Sequence, residues 1–341
     1  MHPYQAYPKF LLLMLWIIIP AGASGQAGSA FPYPPPGKLV DIGGWQLHLH
    51  GQGTEKKGPT VILEAGTGDF SFDWSLVQPE VAKFSPVYAY DRAGAAWSDM
   101  GPKPHTMQQT VYNLHTLLQQ AKVPGPYILV GASYGASLVR LFAQQYPKEV
   151  AGMVLVDPGI EDSKKFVNGK VLQPSVDAKG IPVPPVKTTA TQADNELSAE
   201  AQKFLQDILA QQGLPGTRID APYDNLPVSI QQIRLWAMSR LHVYAVNDNS
   251  YNLEEEALLI REREKRPFMF GQMPLVVMTR GKPYEQERIE AHQKLVALSR
   301  NSKQIIAENS GHHIQLEDPG LVVEAIRQVR VAIQEHKSIA P

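Results

Sequence analysis

The chemistry in this chain starts from a serine set between glycines, in Gly131-Ala132-Ser133-Tyr134-Gly135. A serine hydroxyl is a weak nucleophile until a base takes its proton. The base needs a pKa near the working pH, which favours histidine. His312, in Ser310-Gly311-His312-His313, follows the last strand-like run and is the histidine placed for that task. His313 beside it is expected to point elsewhere. His48, His50, His105, His242 and His292 fall in strands, loops or helices without such placement, and His115 reads as a surface or packing residue of a helix. An acid must then hold the imidazole in one tautomer and stabilise its cation. Asp157 ends an apolar run, and Glu285 and Glu287 follow another, so all three are candidates. Asp157 is favoured over Glu285 because it ends its strand directly. Two backbone N–H groups complete the apparatus as donors to a developing oxyanion. They are those of Thr67, in Glu64-Ala65-Gly66-Thr67-Gly68-Asp69, and of Tyr134.

These residues cooperate only if the fold brings them to one edge of one sheet. Tyr127–Val130 is a short apolar run of strand character, and Leu138, Leu141, Phe142 and Tyr146 fall on one helical face. The chain between them must bend sharply, and small residues around Ser133 permit the bend. The serine then stands exposed at the end of the sheet, beside a helix N-terminus that favours negative charge.

The rest of the chain supplies that sheet. Leu39–Ile42 and Trp45–His50 read as a hairpin around Gly43-Gly44. Thr60–Leu63, Val87–Tyr90 and Gly152–Val156 read as buried strands, separated by helical spacing over Phe72–Phe84 and Thr106–Ala121. Such alternation implies a parallel sheet with right-handed crossovers. Asp91 and Arg92, at one strand end, are expected to form a structural ion pair or turn. After Gly159 the alternation stops. Val171–Val186 is proline-rich and expected to be irregular. Helical stretches follow at about Ser198–Gln212, Pro227–Val246 and Leu253–Lys265. Leu235, Trp236, Met238, Tyr244 and Tyr251 are available there to line a pocket, though most of them are expected to be helix-packing residues. The sheet resumes at Leu275–Met278 and Lys303–Ile306, with helices at about Gln286–Leu298 and Pro319–Ile333.

Composition narrows the function. The 341 residues are 43% hydrophobic and 19% charged, with formal net charge −1, which gives no electrostatic footprint for nucleic acid. The chain has no cysteine, so a disulfide framework, a thiolate metal site and a cysteine nucleophile are excluded. No repeat, phosphate-binding loop, dinucleotide fingerprint or zinc-ligand spacing is present, and the serine chemistry needs no cofactor or metal. Phe10–Ile19 is uniformly apolar, preceded by Lys9 and followed by Pro20-Ala21-Gly22-Ala23. This is the layout of a secretory signal peptide cleaved after about Ala23, with an uncleaved anchor as the alternative. Secretion or periplasmic export, without stable membrane insertion after cleavage, is the expectation.

Taken together, GASYG, LEAGTGD, YDRAGAAWS, LVDP and SGHHIQLEDP resemble the α/β-hydrolase superfamily over about Leu39–His336. The order Ser, Asp, His along the chain agrees. The resemblance implies an α/β fold with a mostly parallel eight-stranded sheet, a helical cap inserted after the sixth strand, and catalytic roles for Ser133 and His312. Members commonly carry an acid shortly after the seventh strand, in a G-x-x-D pattern. Here Gly281 is followed by Lys282, Pro283 and Tyr284, and some members instead use an acid after the sixth strand, the Asp157 position. The expected organisation is a signal peptide (1–23), a Pro/Gly-rich linker (24–38), the N-terminal part of the core (39–159), a cap (160–270) and the C-terminal part of the core (271–341). The expected activity is hydrolysis of a small ester through an acyl-enzyme. Amide, peptide or carbon–carbon cleavage and non-catalytic ligand binding are the alternatives. The partner is a small-molecule acyl substrate; oligomeric state is not readable.

Overall fold

The computed structural model describes residues 32–167, 170–197, 218–240 and 251–339, with isolated positions between 199 and 207. It divides into residues 1–34 and 35–341, and the second unit holds every element below. The expected signal segment, Tyr244, His242 and most of the expected Ser198–Gln212 helix lie outside the described residues.

The sheet is built from β1 (Lys38–Asp41), β2 (Gln46–Gln52), β3 (Thr60–Glu64), β4 (Val87–Tyr90), β5 (Tyr127–Ala132) and β6 (Val150–Val156). A separate antiparallel hairpin follows, β7 (Lys165–Val167) and β8 (Lys170–Leu172). β9 (Leu275–Arg280) and β10 (Ser302–Ala307) complete the large sheet in the order β1-β2-β4-β3-β5-β6-β9-β10. β2 is antiparallel to both β1 and β4, and the other pairings are parallel. This is the mostly parallel eight-stranded sheet expected. The described residues between Val156 and Leu275 add no strand to it.

Burial on both faces explains why the central strands read as continuous apolar runs. Along β5, Tyr127 and Leu129 pack on one side with α2 (Met107–Gln120) and α3 (Tyr134–Gln145). Ile128, Val130 and Ala132 pack on the other with the closing helix Pro319–Glu335. Successive strand side chains point to opposite faces, so one strand serves both cores. Leu129 and Val130 are fully buried, and truncating such a leucine to alanine costs about 2–5 kcal/mol.

Two elements differ from expectation. Phe72–Phe84 is not one helix. Ser71–Trp74 forms a 3₁₀ turn and Gln78–Ala82 a short α-helix opened by Pro79, because proline is tolerated in a first turn but not in a helix interior. Val171–Val186 is not wholly irregular. It begins in β8, continues in the short helix Pro174–Asp177, and only then loses regular structure. Helices at Val228–Ser239 and Asn252–Lys265 match the expected stretches as far as they are described. No helix among the described residues is long and apolar enough to cross a membrane.

Candidate active site

The bend at Ser133 is set by its two flanking glycines. A Cβ on Gly131 would lie 2.4 Å from the carbonyl oxygen of Gly135, and one on Gly135 would lie 2.6 Å from the carbonyl oxygens of Glu64 and Ala65. Helix α3 therefore starts in contact with the ends of β5 and β3. Ser133 itself takes φ 51° and ψ −118°, a conformation that a side chain rarely adopts. Its N–H donates to the Val156 carbonyl at 3.0 Å, which ties the turn to β6.

The neighbouring strand ends supply His312 and Asp157. His312 sits in the loop between β10 and the short helix Ile314–Glu317, where the Gly311 N–H donates to Glu317 Oε2 at 2.9 Å. His312 Nε2 lies 3.0 Å from Ser133 Oγ, and His312 Nδ1 lies 2.5 Å from Asp157 Oδ2. With Nδ1–H donating to the carboxylate, Nε2 is left as the acceptor for the serine hydroxyl. Asp157 is fully buried directly after β6, and its Oδ1 accepts the Arg280 N–H at 3.1 Å. Burial raises its carboxyl pKa, but the hydrogen bonds from His312 and Arg280 and the nearby positive charge outweigh burial and bring it below its ordinary value.

Glu285 is elsewhere. Its carboxylate accepts from Arg280 at 2.9 Å and Arg288 at 2.8 Å. Those two guanidinium groups each stand 3.8 Å from Asp157 Oδ2. Glu287 lies in the first turn of the helix Gln286–Val296. The structure thus brings Ser133, His312 and Asp157 into one hydrogen-bonded line and leaves Glu285 outside it.

The Thr67 loop meets this line from β3. A Cβ on Gly66 would lie 3.4 Å from Ser133 Cβ, so the loop backbone passes beside the serine. Arg92 fixes the loop from behind, donating to the Ala65 and Gly66 carbonyls at 2.6 and 2.5 Å and to Glu64 at 2.6 Å. Glu64 is buried and also accepts from the Tyr90 hydroxyl. Asp91 is not paired with its neighbour Arg92; it is buried against His48, with its Oδ2 2.7 Å from His48 Nδ1, so the two residues enter separate structural pairs. Thr67, Ser133 and Tyr134 line a cavity of about 200 Å³, with Ser137, Glu161, Lys165, Asn252, Glu256 and Leu259 on its other walls.

A family model described as the alpha/beta hydrolase family matches residues 47–325. The chain belongs to the alpha/beta hydrolase family. Uncharacterized protein YqjL of Bacillus subtilis is 25% identical over 298 residues, spanning 86% of this chain and 91% of that protein. An AB hydrolase superfamily protein of Gibberella zeae is 23% identical over 299 residues, spanning 83% and 91%. Among solved structures, a thermophilic esterase from Thermogutta terrifontis aligns with TM-score 0.58 and 18% identity over 87% of this chain and 99% of its own. At that identity the likeness is one of fold.

In this alpha/beta hydrolase the described cavity lining agrees with the expectation that most of the apolar and aromatic residues of the segment after β6 serve packing. Leu235, Trp236, Met238 and Tyr251 do not line it, and Trp236 packs on Trp97 with ring centres 5.4 Å apart. The helix Asn252–Lys265 contributes instead, through Asn252, Glu256 and Leu259. Ser137 was missed, although it lies one helical turn after Ser133. Lys165 and Glu161 carried no signal in sequence.

Sequence reading also missed Arg234. Its guanidinium is ion-paired with Asp73, lies 3.5 Å from Asp69 Oδ1 and covers the Tyr223 ring at 3.5 Å from its centre. The Tyr223 hydroxyl donates to Asp69 Oδ1 at 2.6 Å, and His313 Nε2 lies 3.3 Å from it. His313 therefore faces this cluster and not Ser133.

Proposed function

We propose that this alpha/beta hydrolase is a serine hydrolase that cleaves a small ester through a covalent acyl-enzyme. The observation carrying the reading is the unbroken line Ser133 Oγ, His312 Nε2, His312 Nδ1, Asp157 Oδ2, with spacings of 3.0 and 2.5 Å across it. His312 takes the serine proton as Ser133 Oγ attacks the carbonyl carbon. Asp157 holds the Nδ1–H tautomer and stabilises the imidazolium. The Thr67 and Tyr134 N–H groups receive the oxyanion, where each such donor is worth about 10²–10³ in turnover. The leaving alcohol takes the proton back from His312. Water, deprotonated by the same imidazole, then releases the acid and restores Ser133.

The segment 160–270 acts in this reading as a cap that excludes water and shapes the cavity. The apolar N-terminal run acts as an export signal, and N-terminal sequencing of the exported protein beginning near Ser24 is the outcome that supports it. The test of the whole reading is covalent labelling by a fluorophosphonate probe, with turnover of short aryl esters. Labelling at Ser133 that disappears in His312→Gln supports it. Folded protein that neither labels nor turns over any ester of the panel overturns it.

A further inference from the structure

We propose that the cavity beside Ser133 takes a compact substrate bearing a carboxylate, and that Lys165 recognises that group. The proposal rests on the hydrolase reading for the reacting end of the substrate and on separate observations for its other end.

Size comes first. An engineered cavity of about 150 Å³ holds benzene. A cavity of about 200 Å³ beside the nucleophile has room for one aryl-sized or short-chain group. The lining points the same way. Of the side chains facing Ser133 across the cavity, Ser137, Glu161, Lys165, Asn252 and Glu256 are polar or charged. A fatty chain there would desolvate them with nothing in exchange.

Charge then selects the sign. Glu161 is not free to hold a cation. Arg140, itself buried, is ion-paired with it, and Arg263 Nε lies 2.8 Å from its other oxygen. Burial raises the Glu161 carboxyl pKa, but the two guanidinium groups outweigh burial and hold it below its ordinary value. Glu256 is covered by Lys165, with which it is ion-paired. Lys165 is the asymmetric member of that pair. Its side chain is 30% exposed against 9% for Glu256, and its ammonium has three donors of which Glu256 takes one side. The N-terminus of α3 opens onto the same space. With Glu161 held by Arg140 and Arg263, Lys165 is the lining cation with a face turned to the cavity, and it favours an anion there.

Calorimetric binding of benzoate and of its neutral isostere benzamide reads this directly, on the full chain and without turnover. Benzoate is expected to bind roughly ten-fold or more tightly than benzamide, the scale of a hydrogen bond to a charged group. Lys165→Met is expected to abolish the preference, Lys165→Arg to keep it, and Glu256→Gln to increase it by freeing the ammonium. Benzamide binding as tightly as benzoate, or a preference that survives in Lys165→Met, overturns the proposal. Fluorophosphonate labelling run alongside separates the two readings. Labelling of Ser133 without a benzoate preference sinks the anion site alone, and a Lys165-dependent preference without labelling sinks the nucleophile alone.

Discussion

Asp157 Oδ2 and His312 Nδ1 lie 2.5 Å apart although 155 residues separate them in the chain. The Asp157 side chain is wholly buried and that of His312 is 34% exposed, so Asp157 holds the imidazole from below while the rest of the ring stays partly open. Asp157→Asn keeps the shape but offers an amide where the Nδ1–H needs an acceptor. Turnover is expected to fall by about 10³–10⁴. Glu285→Gln touches only Arg280 and Arg288 and is expected to stay within a few-fold of wild type. Steady-state kinetics of the two variants decide it, and the reverse ranking would make Glu285 the acid.

Gly135 is the second test, because its demand is steric. The nearest atoms to an added Cβ are backbone carbonyls of Glu64 and Ala65 at 2.6 Å, which have no rotamer to retreat into. Gly135→Ala is expected to cost about 1–3 kcal/mol in urea unfolding. It also pushes α3 away from the Thr67 loop, so ester turnover should drop more than stability alone explains. Wild-type stability in this variant would contradict the close crossing.

Arg234 makes a cation-for-two-acids cluster that turnover alone would not reveal. Burial, with neighbouring Asp69, raises the Asp73 carboxyl to about 7 despite the opposing charge of Arg234. Removing the guanidinium leaves Asp73 buried beside Asp69 without its cation. Arg234→Met is therefore expected to lose about 3–5 kcal/mol, and adding Asp73→Asn to restore much of it. A double-mutant cycle by denaturant unfolding measures the coupling. Additive losses would show that the pair does not act as a unit.

His48 provides a pH-dependent test away from the catalytic line. It is completely buried, and its Nε2 faces the Pro36 carbonyl while Nδ1 meets Asp91. Burial alone lowers its pKa, but the Asp91 charge and the hydrogen bonds outweigh burial and raise it above the ordinary 6.5. A raised folded value means that the cation is preferred in the native state. Its stabilisation is fully present below 6.5 and is lost as pH rises through the higher folded value. The melting temperature is expected to fall as pH rises above 6.5 through the higher folded value, and to fall less in His48→Gln. An equal fall in both proteins would remove His48 as the cause.

How much of this was written in the chain is visible in particular residues. The central strands were legible because a strand buried on both faces must be apolar throughout, as in Ile128–Val130, and the first two by the Gly43-Gly44 turn between them. Ser133 was legible because only small residues let a strand turn at once into a helix. His312 and Asp157 were legible as strand-end residues, since parallel strands deliver all their C-terminal ends to one edge. Sequence alone left the choice between Asp157 and Glu285 open, because three or four residues of loop can carry a carboxylate to either place. Packing settled where each carboxylate sits: Asp157 follows β6 in the buried sheet, while Arg280 and Arg288 hold Glu285 at the surface. The cavity walls and the Arg234 cluster were not legible at all. Lys165 meets Glu256, and Arg234 meets Asp73, only through the tertiary path of the segment after β6. A pairing between charges on distant elements leaves no periodicity in the chain that encodes it.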